Sequence, residues 1–196
     1  AMIQLDGIGL VYGDTVILKD ASYSVATGER AGLVGPNGSG KTTQLKVIAG
    51  ELDPSFGDVV KSSRDLRIAY LRQEFTDDLT LDNTLKTELM GAFKEENQIL
   101  RDINQCETDL ETATNAPEKM EEILNRLSDL QEKATQKGAY AMDSKVEKIM
   151  EQCGFGDTDG DNLVGSFSGG WKMRIGIAKI LLQDPNVLLL DEPTNH

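Results

Sequence analysis

The stretch Gly35-Pro36-Asn37-Gly38-Ser39-Gly40-Lys41-Thr42 constrains the fold of this chain more than any other. It fits G-x-x-x-x-G-K-[ST], the pattern of a phosphate-binding loop. Before it, Arg30-Ala31-Gly32-Leu33-Val34 reads as a short buried strand; after it, residues 43–49 read as a helix stopped by Gly50. A glycine-rich turn with an accidental lysine is the alternative, and the strand–loop–helix context counts against it. The glycines let successive backbone N–H groups turn inward around phosphate oxygens. The helix start adds partial positive charge at the same point. In such a loop Lys41 bridges the terminal phosphates and the Thr42 hydroxyl ligates Mg²⁺.

Composition narrows the partners. With 196 residues the chain can bury a substantial core as one or two domains. Its formal charge of −13 argues against non-specific coating of nucleic acid or an anionic membrane, while leaving room for local basic contacts. Cys106 and Cys153 fall in no ligand-like spacing, so both read as structural thiols in a reduced compartment. The single histidine is His196, which removes a histidine triad or zinc cluster from consideration. No apolar run is long enough to span a bilayer. No signal or transit peptide is visible, although Ala1-Met2 reads as a junction before which one could have stood.

Residues 2–28 alternate apolar and polar. Ile3, Leu5 and Ile8 mark one strand, Val16, Leu18, Tyr23 and Val25 mark a second region, and Gly13-Asp14 is the turn between them. The expectation is an antiparallel sheet ahead of the phosphate loop. Tyr12, at the turn, is either a packing aromatic at a sheet edge or a flat face for a purine ring. Val59-Val60 and residues 66–71 read as further strands, and Gln73 follows directly, as a solvent-facing loop residue if nothing else is known of it.

Residues 84–137 change character, with one glycine, one proline and much Glu, Lys, Leu and Gln. Ala92, Glu96, Ile99, Ile103, Cys106 and Leu110 form one narrow heptad seam; Met120, Ile123, Leu127, Leu130 and Ala134 form another. Asn115-Ala116-Pro117 breaks them, with Pro117 suited to a first helical turn. The pattern predicts a long helical hairpin whose first helix reaches roughly 40–45 Å at ~1.5 Å per residue. Seven basic residues against twelve acidic ones give the segment a net −5, most of it read as a solvated face.

Beyond the hairpin, Ser144-Lys145-Val146-Glu147 fits a capping box and Cys153-Gly154 a helix stop. An acidic glycine-rich loop spans residues 156–165. Ser168-Gly169-Gly170 opens a helix ending near Pro185; taken alone, Ser168 is as well an N-cap as a functional group. Asn186-Val187-Leu188-Leu189-Leu190-Asp191-Glu192 reads as a fully buried strand ending in two carboxylates. Acids at that end of a parallel strand lie where ligands bind in open α/β sheets.

In this order the motifs resemble a nucleotide-binding domain of the ATP-binding cassette superfamily, over nearly the whole length. Residues 35–42 match its phosphate loop (Walker A), Gln73 its Q-loop, Ser168-Gly169-Gly170 its signature and Asp191-Glu192 its Walker B strand; Tyr12 falls where its adenine-stacking aromatic lies. Phe167-Ser168-Gly169-Gly170-Trp171-Lys172-Met173-Arg174, Leu190-Asp191-Glu192-Pro193-Thr194-Asn195-His196 and the hairpin between Q-loop and signature resemble the ABC-F subfamily, with the Phe-Ser-Gly-Gly-Trp form closest to plastid and cyanobacterial members. Phe167 and Trp171 depart from the general Leu-Ser-Gly-Gly-Gln pattern in a way common in ABC-F proteins.

The resemblance implies an α/β fold: a P-loop NTPase ABC cassette with an N-terminal antiparallel β-subdomain, a mostly parallel core sheet and an inserted helical hairpin, the arm. The expected division is 1–83 for the ATP-binding core with its β-subdomain and P-loop, 84–140 for the arm, and 141–196 for the signature-helix subdomain and Walker B strand. ABC-F proteins carry two cassettes and no membrane domain, and many bind the ribosome. An arm inside the cassette resembles the first of the two. The family's D-loop, switch histidine, remaining strands and second cassette lie past His196, so a fragment of a larger protein is expected.

The resemblance also assigns roles. ATP binding falls to Tyr12, to the loop Gly35, Pro36, Asn37, Gly38, Ser39 and Gly40, and to Lys41, Thr42 and Thr43. Ser168, Gly169 and Gly170 cap the γ-phosphate held by the other cassette. Mg²⁺ falls to Thr42, Gln73 and Asp191, directly or through water. Glu192 is the general base, with Lys41 and Gln73 assisting catalysis. Each composite site needs both cassettes, so the chain alone is expected to bind ATP with little or no turnover. The implied function is an ATP-gated translation factor, soluble in the chloroplast stroma or cytoplasm, whose arm contacts ribosomal protein, or RNA through cations near the tip such as Lys119 and Arg126. A motor subunit of a membrane transporter is the alternative. A DNA-maintenance ATPase, which carries a far longer coiled coil, fits less well.

Overall fold

The computed structural model describes residues 2–33, 40–72 and 74–191, which fall into two compact units: residues 1–75 with 184–196, and residues 76–183. In the first unit, β1 (Ile3–Tyr12) and β2 (Thr15–Val25) form an antiparallel hairpin across the Gly13-Asp14 turn, with Leu5 opposite Tyr23 and Leu10 opposite Leu18. Ile3 and Leu5 point inward while Gln4 and Asp6 face solvent, the period-2 alternation of a half-covered sheet. Helix α1 (Lys41–Ile48) begins directly after Gly40. Strand β3 (Phe56–Lys61) then pairs with the other edge of β1, giving the order β2-β1-β3. Gly57 has a φ of 83°, and a Cβ there would overlap the carbonyl oxygens of Asp6 and Gly7.

Strand β4 (Ile68–Leu71) pairs in parallel with β5 (Val187–Leu190), Ile68 opposite Val187 through Leu71 opposite Leu190. One core serves the unit: Ile3, Leu5, Ile8, Leu10 and Leu18 of the hairpin, Val47 and Ile48 of α1, and Leu189 of β5. Both the antiparallel sheet and the parallel pairing expected from the sequence are thus present.

Two expectations about this unit are corrected. Residues 30–33 are exposed and belong to no strand, while Val34 lies outside the described residues. Their apolar pattern suits a strand, but a strand exists only through its neighbours, and these residues pair with none of the described strands. Nor is β5 fully buried. Leu189 packs into the core at 8% exposure, whereas Leu188 and Leu190 stand at 37% and 42%, because the core covers one face of the strand.

In the second unit, α2 (Leu85–Met90) is capped by Thr84, whose hydroxyl accepts from Thr87 N–H at 3.2 Å. Helices α3 (Lys94–Thr112) and α4 (Pro117–Lys137) form the hairpin. Ile99, Ile103 and Ala134 are buried at its seam with Leu127 and Leu130 packed on them, and Lys137 pairs with Glu95 at 3.4 Å at its base. The first helix does not run unbroken for 40–45 Å. The 19 residues of α3 reach about 28 Å, because the chain leaves the helix at Gly91 to bury Ala92 and Phe93, and Asn97 Nδ2 donates to the Met90 carbonyl at 2.9 Å across the break.

Helix α5 (Met142–Gln152) begins ahead of Ser144, contrary to the capping-box expectation. A 3₁₀ turn over Ala139–Ala141 feeds it directly and buries Met142, so Ser144 meets no helix start to cap. Helix α6 (Gly169–Leu181) packs against α2 and α5. Between α2 and α6, Lys179 Nζ donates to Glu88 Oε1 at 2.8 Å, and Asn83 Nδ2 donates to Oε2 at 2.9 Å. Glu88 is 5% exposed, so this pairing removes the cost of an isolated buried carboxylate and fixes which faces of the two helices meet.

Candidate nucleotide site

In the first unit the described part of the expected phosphate loop starts at Gly40. It occupies the left-handed region, φ 91° and ψ 13°, as the N-cap of α1. A Cβ there would come 2.8 Å from the Leu18 side chain and 3.2 Å from the Ile17 carbonyl, so the position demands glycine twice over. Lys41, Thr42 and Thr43 form the first turn that follows, with backbone N–H groups directed out of the helix start. The helix is held from β2, where Tyr23 Oη donates to Gln44 Oε1 at 3.0 Å; burial pushes the Tyr23 phenol up, which keeps it a donor. Gly35, Pro36, Asn37, Gly38 and Ser39 lie outside the described residues.

At the end of β5, Asp191 is 3% exposed. Its N–H donates to the Leu71 carbonyl at 3.1 Å, and its Oδ2 accepts from Tyr70 Oη at 2.9 Å. Burial, the hydrogen bond to Asp191 and the charges of Asp191 and Glu74 push the Tyr70 phenol well above its ordinary value, so it stays protonated and donating. The Arg72 guanidinium lies 4.9 Å from the Tyr70 ring centroid and pairs with Glu51. Gln73 and Glu192 lie outside the described residues. Tyr12, at the end of β1, is 55% exposed.

The donor chemistry fits Mg²⁺. Thr42 and Asp191 offer hard oxygens, and Mg²⁺ is held by one or two carboxylates together with substrate phosphates and water rather than by an all-protein cage. Among the described residues no cluster of three His, Cys, Asp or Glu side chains forms a cage of another kind.

The residues expected to form the signature sit in the second unit. Ser168 is the N-cap of α6, its hydroxyl accepting from Trp171 N–H at 3.4 Å, and Ser168, Gly169 and Gly170 are all exposed. A recess of about 530 Å³ beside them is lined by Asp159, Asn162, Ser166, Phe167, Ser168 and Trp171. The Trp171 ring is held from two sides: Phe155 at 5.1 Å between centroids, and the Arg174 guanidinium at 4.5 Å. Arg174 Nη1 also donates to the Cys153 carbonyl at 2.8 Å, tying the start of α6 to the end of α5. Burial pushes the Cys153 thiol up against the opposing pull of Arg174, in keeping with a structural thiol.

Sequence reasoning passed over Tyr70, Arg174 and Phe155. Arg174 stands three residues after Trp171 on one helix, a spacing that places side chains together. Tyr70 carried no comparable local signal, since it meets Asp191 across 121 positions of chain.

Comparison with known proteins bears on this arrangement. A sequence profile of the family described as ABC transporter matches residues 18–195. ABC transporter F family member 5 of Arabidopsis thaliana is 42% identical over 194 residues, covering 99% of this chain and 28% of the relative. F family member 2 of the same plant is 41% identical with the same coverage. The energy-dependent translational throttle protein EttA of Mycobacterium tuberculosis is 32% identical over 189 residues, 94% of this chain and 31% of that protein. The chain therefore spans a little under a third of the length of these relatives. Among solved structures, cbiO1 from Clostridium perfringens, part of the ABC transporter complex cbiONQ, superposes with a TM-score of 0.64 over 98% of this chain and 66% of that one, at 21% identity, and speaks for the fold alone.

Proposed function

Because the chain belongs to the ABC transporter family, whose cassettes are P-loop ATPases, we propose that it is the first cassette of a tandem ABC-F protein and that it gates, through ATP, an association with the ribosome. The observation that carries this reading is the α3–α4 hairpin, placed in the chain between the Q-loop position and the signature helix. A relative of the same kind is named a translational throttle. The transporter-motor reading has no counterpart to the hairpin in its favour. Its setting in this reading is the chloroplast stroma or the cytoplasm.

In this reading the loop amides, Lys41 and Thr43 stabilise phosphate charge, and Tyr12 offers a face to the adenine. Thr42, Asp191 and Gln73 would hold Mg²⁺, which when bound would supply positive charge to offset that of the phosphates. Glu192 takes the proton of the attacking water. The exposed Ser168-Gly169-Gly170 helix start closes on ATP held by the second cassette. The arm's net charge of −5 disfavours a broad grip on RNA phosphates, so its contact is to ribosomal protein, or to RNA through a few cations such as Lys119 and Arg126.

Replacing residues 94–137 with a short Gly/Ser linker in the full-length protein tests the arm. Phe93 is kept because it is 4% exposed and part of the second unit's interior. MgATP binding should be unchanged, since no nucleotide motif lies in the deleted segment, while co-sedimentation with ribosomes in a hydrolysis-deficient background should fall to background. An arm-deleted protein that pellets with ribosomes as well as its parent does would remove the arm from recognition.

A further inference from the structure

We propose that Tyr70 is a positioning residue for the metal-facing carboxylate of Asp191, an inference that rests on the nucleotide-site reading above. β4 and β5 run parallel and in register, so the residues that leave them emerge at the same end of the sheet. Tyr70 stands one residue before the end of β4, and its hydroxyl donates to Asp191 Oδ2 at 2.9 Å. The backbone of Asp191 is already fixed by its N–H bond to Leu71. Its carboxylate can still turn about χ1 and χ2, the second of which is broad for aspartate. The phenol removes that freedom by holding one oxygen and so orienting the other.

The ring is itself held in place. Arg72 stacks on its face and pairs with Glu51, and Glu51 N–H donates to the Lys46 carbonyl at 2.9 Å in the last turn of α1. The path Glu51–Arg72–Tyr70–Asp191 thereby ties the helix that carries Thr42 to the strand that carries Asp191. Groups that hydrogen-bond a metal ligand orient it, and their loss commonly lowers metal affinity by about 10–100-fold.

The test is Tyr70→Phe in the full-length protein, which keeps the ring and its Arg72 contact and deletes the hydroxyl. Titration calorimetry with a non-hydrolysable ATP analogue is run in Mg²⁺ and again in EDTA, with Asp191→Asn alongside. The metal-free affinity of Tyr70→Phe should match wild type, while the gain in affinity conferred by Mg²⁺ should fall about tenfold. Affinity lowered equally with and without Mg²⁺ would mark Tyr70 as a packing residue and overturn the inference. If Asp191→Asn loses the Mg²⁺ gain while Tyr70→Phe retains it, the inference falls and the site reading stands. If wild type shows no Mg²⁺ gain, or Asp191→Asn keeps it, the site reading fails and the inference with it.

Discussion

Changing Glu192 to Gln, with the equivalent glutamate of the second cassette, is expected to reduce steady-state ATP hydrolysis by roughly 10²–10⁴-fold, the usual contribution of a positioned general base. The amide keeps the size and polarity of the carboxylate and cannot take a proton from water. Binding depends on other groups, so ATP should still bind. Closure of the two cassettes is driven by ATP and undone by hydrolysis in this account. The doubly substituted protein should therefore accumulate in the closed, ATP-filled state, visible as ATP that stays with the protein through gel filtration. A hydrolysis rate near that of wild type would assign the base elsewhere.

Lys41→Ala should weaken MgATP binding by roughly 10²-fold, because a charge-assisted hydrogen bond to phosphate contributes about 1.5–3 kcal/mol and, in the proposed reading, this ammonium bridges the terminal phosphates. Lys41 is the first residue of α1, directly after the left-handed Gly40. Removing its ammonium leaves the backbone amides of the turn intact, so the change reports on the side chain. Calorimetric titration of wild type and variant with ATP in Mg²⁺ measures it. Equal affinities would exclude Lys41 from the phosphate site.

Much of this was legible from local pattern. The heptad seams place Ile99, Ile103 and Ala134 together because a helix repeats its faces at fixed spacing, and the hairpin buries those residues. The β1–β2 hairpin follows from alternation and the Gly13-Asp14 turn in the same way. What escaped was decided by neighbours far along the chain. Ala92 continues the seam of α3, yet burial of Phe93 breaks the helix there. Ala31, Gly32 and Leu33 look like a strand, and pairing alone makes one. The position of Leu188 and Leu190 on the open face of β5 depends on what packs on Leu189. The site divides along the same line. Glycine spacing announces the start of α1, whereas the Tyr70–Asp191 bond exists only once two strands 121 positions apart lie side by side.

The central claim is that ATP occupancy of this cassette controls ribosome association. Sucrose-cushion co-sedimentation of the full-length, hydrolysis-deficient protein with ribosomes, in ATP and separately in ADP, tests it most directly. The account predicts that the protein pellets with ribosomes in ATP and stays in the supernatant in ADP; equal pelleting in both nucleotides, or none in either, would contradict it.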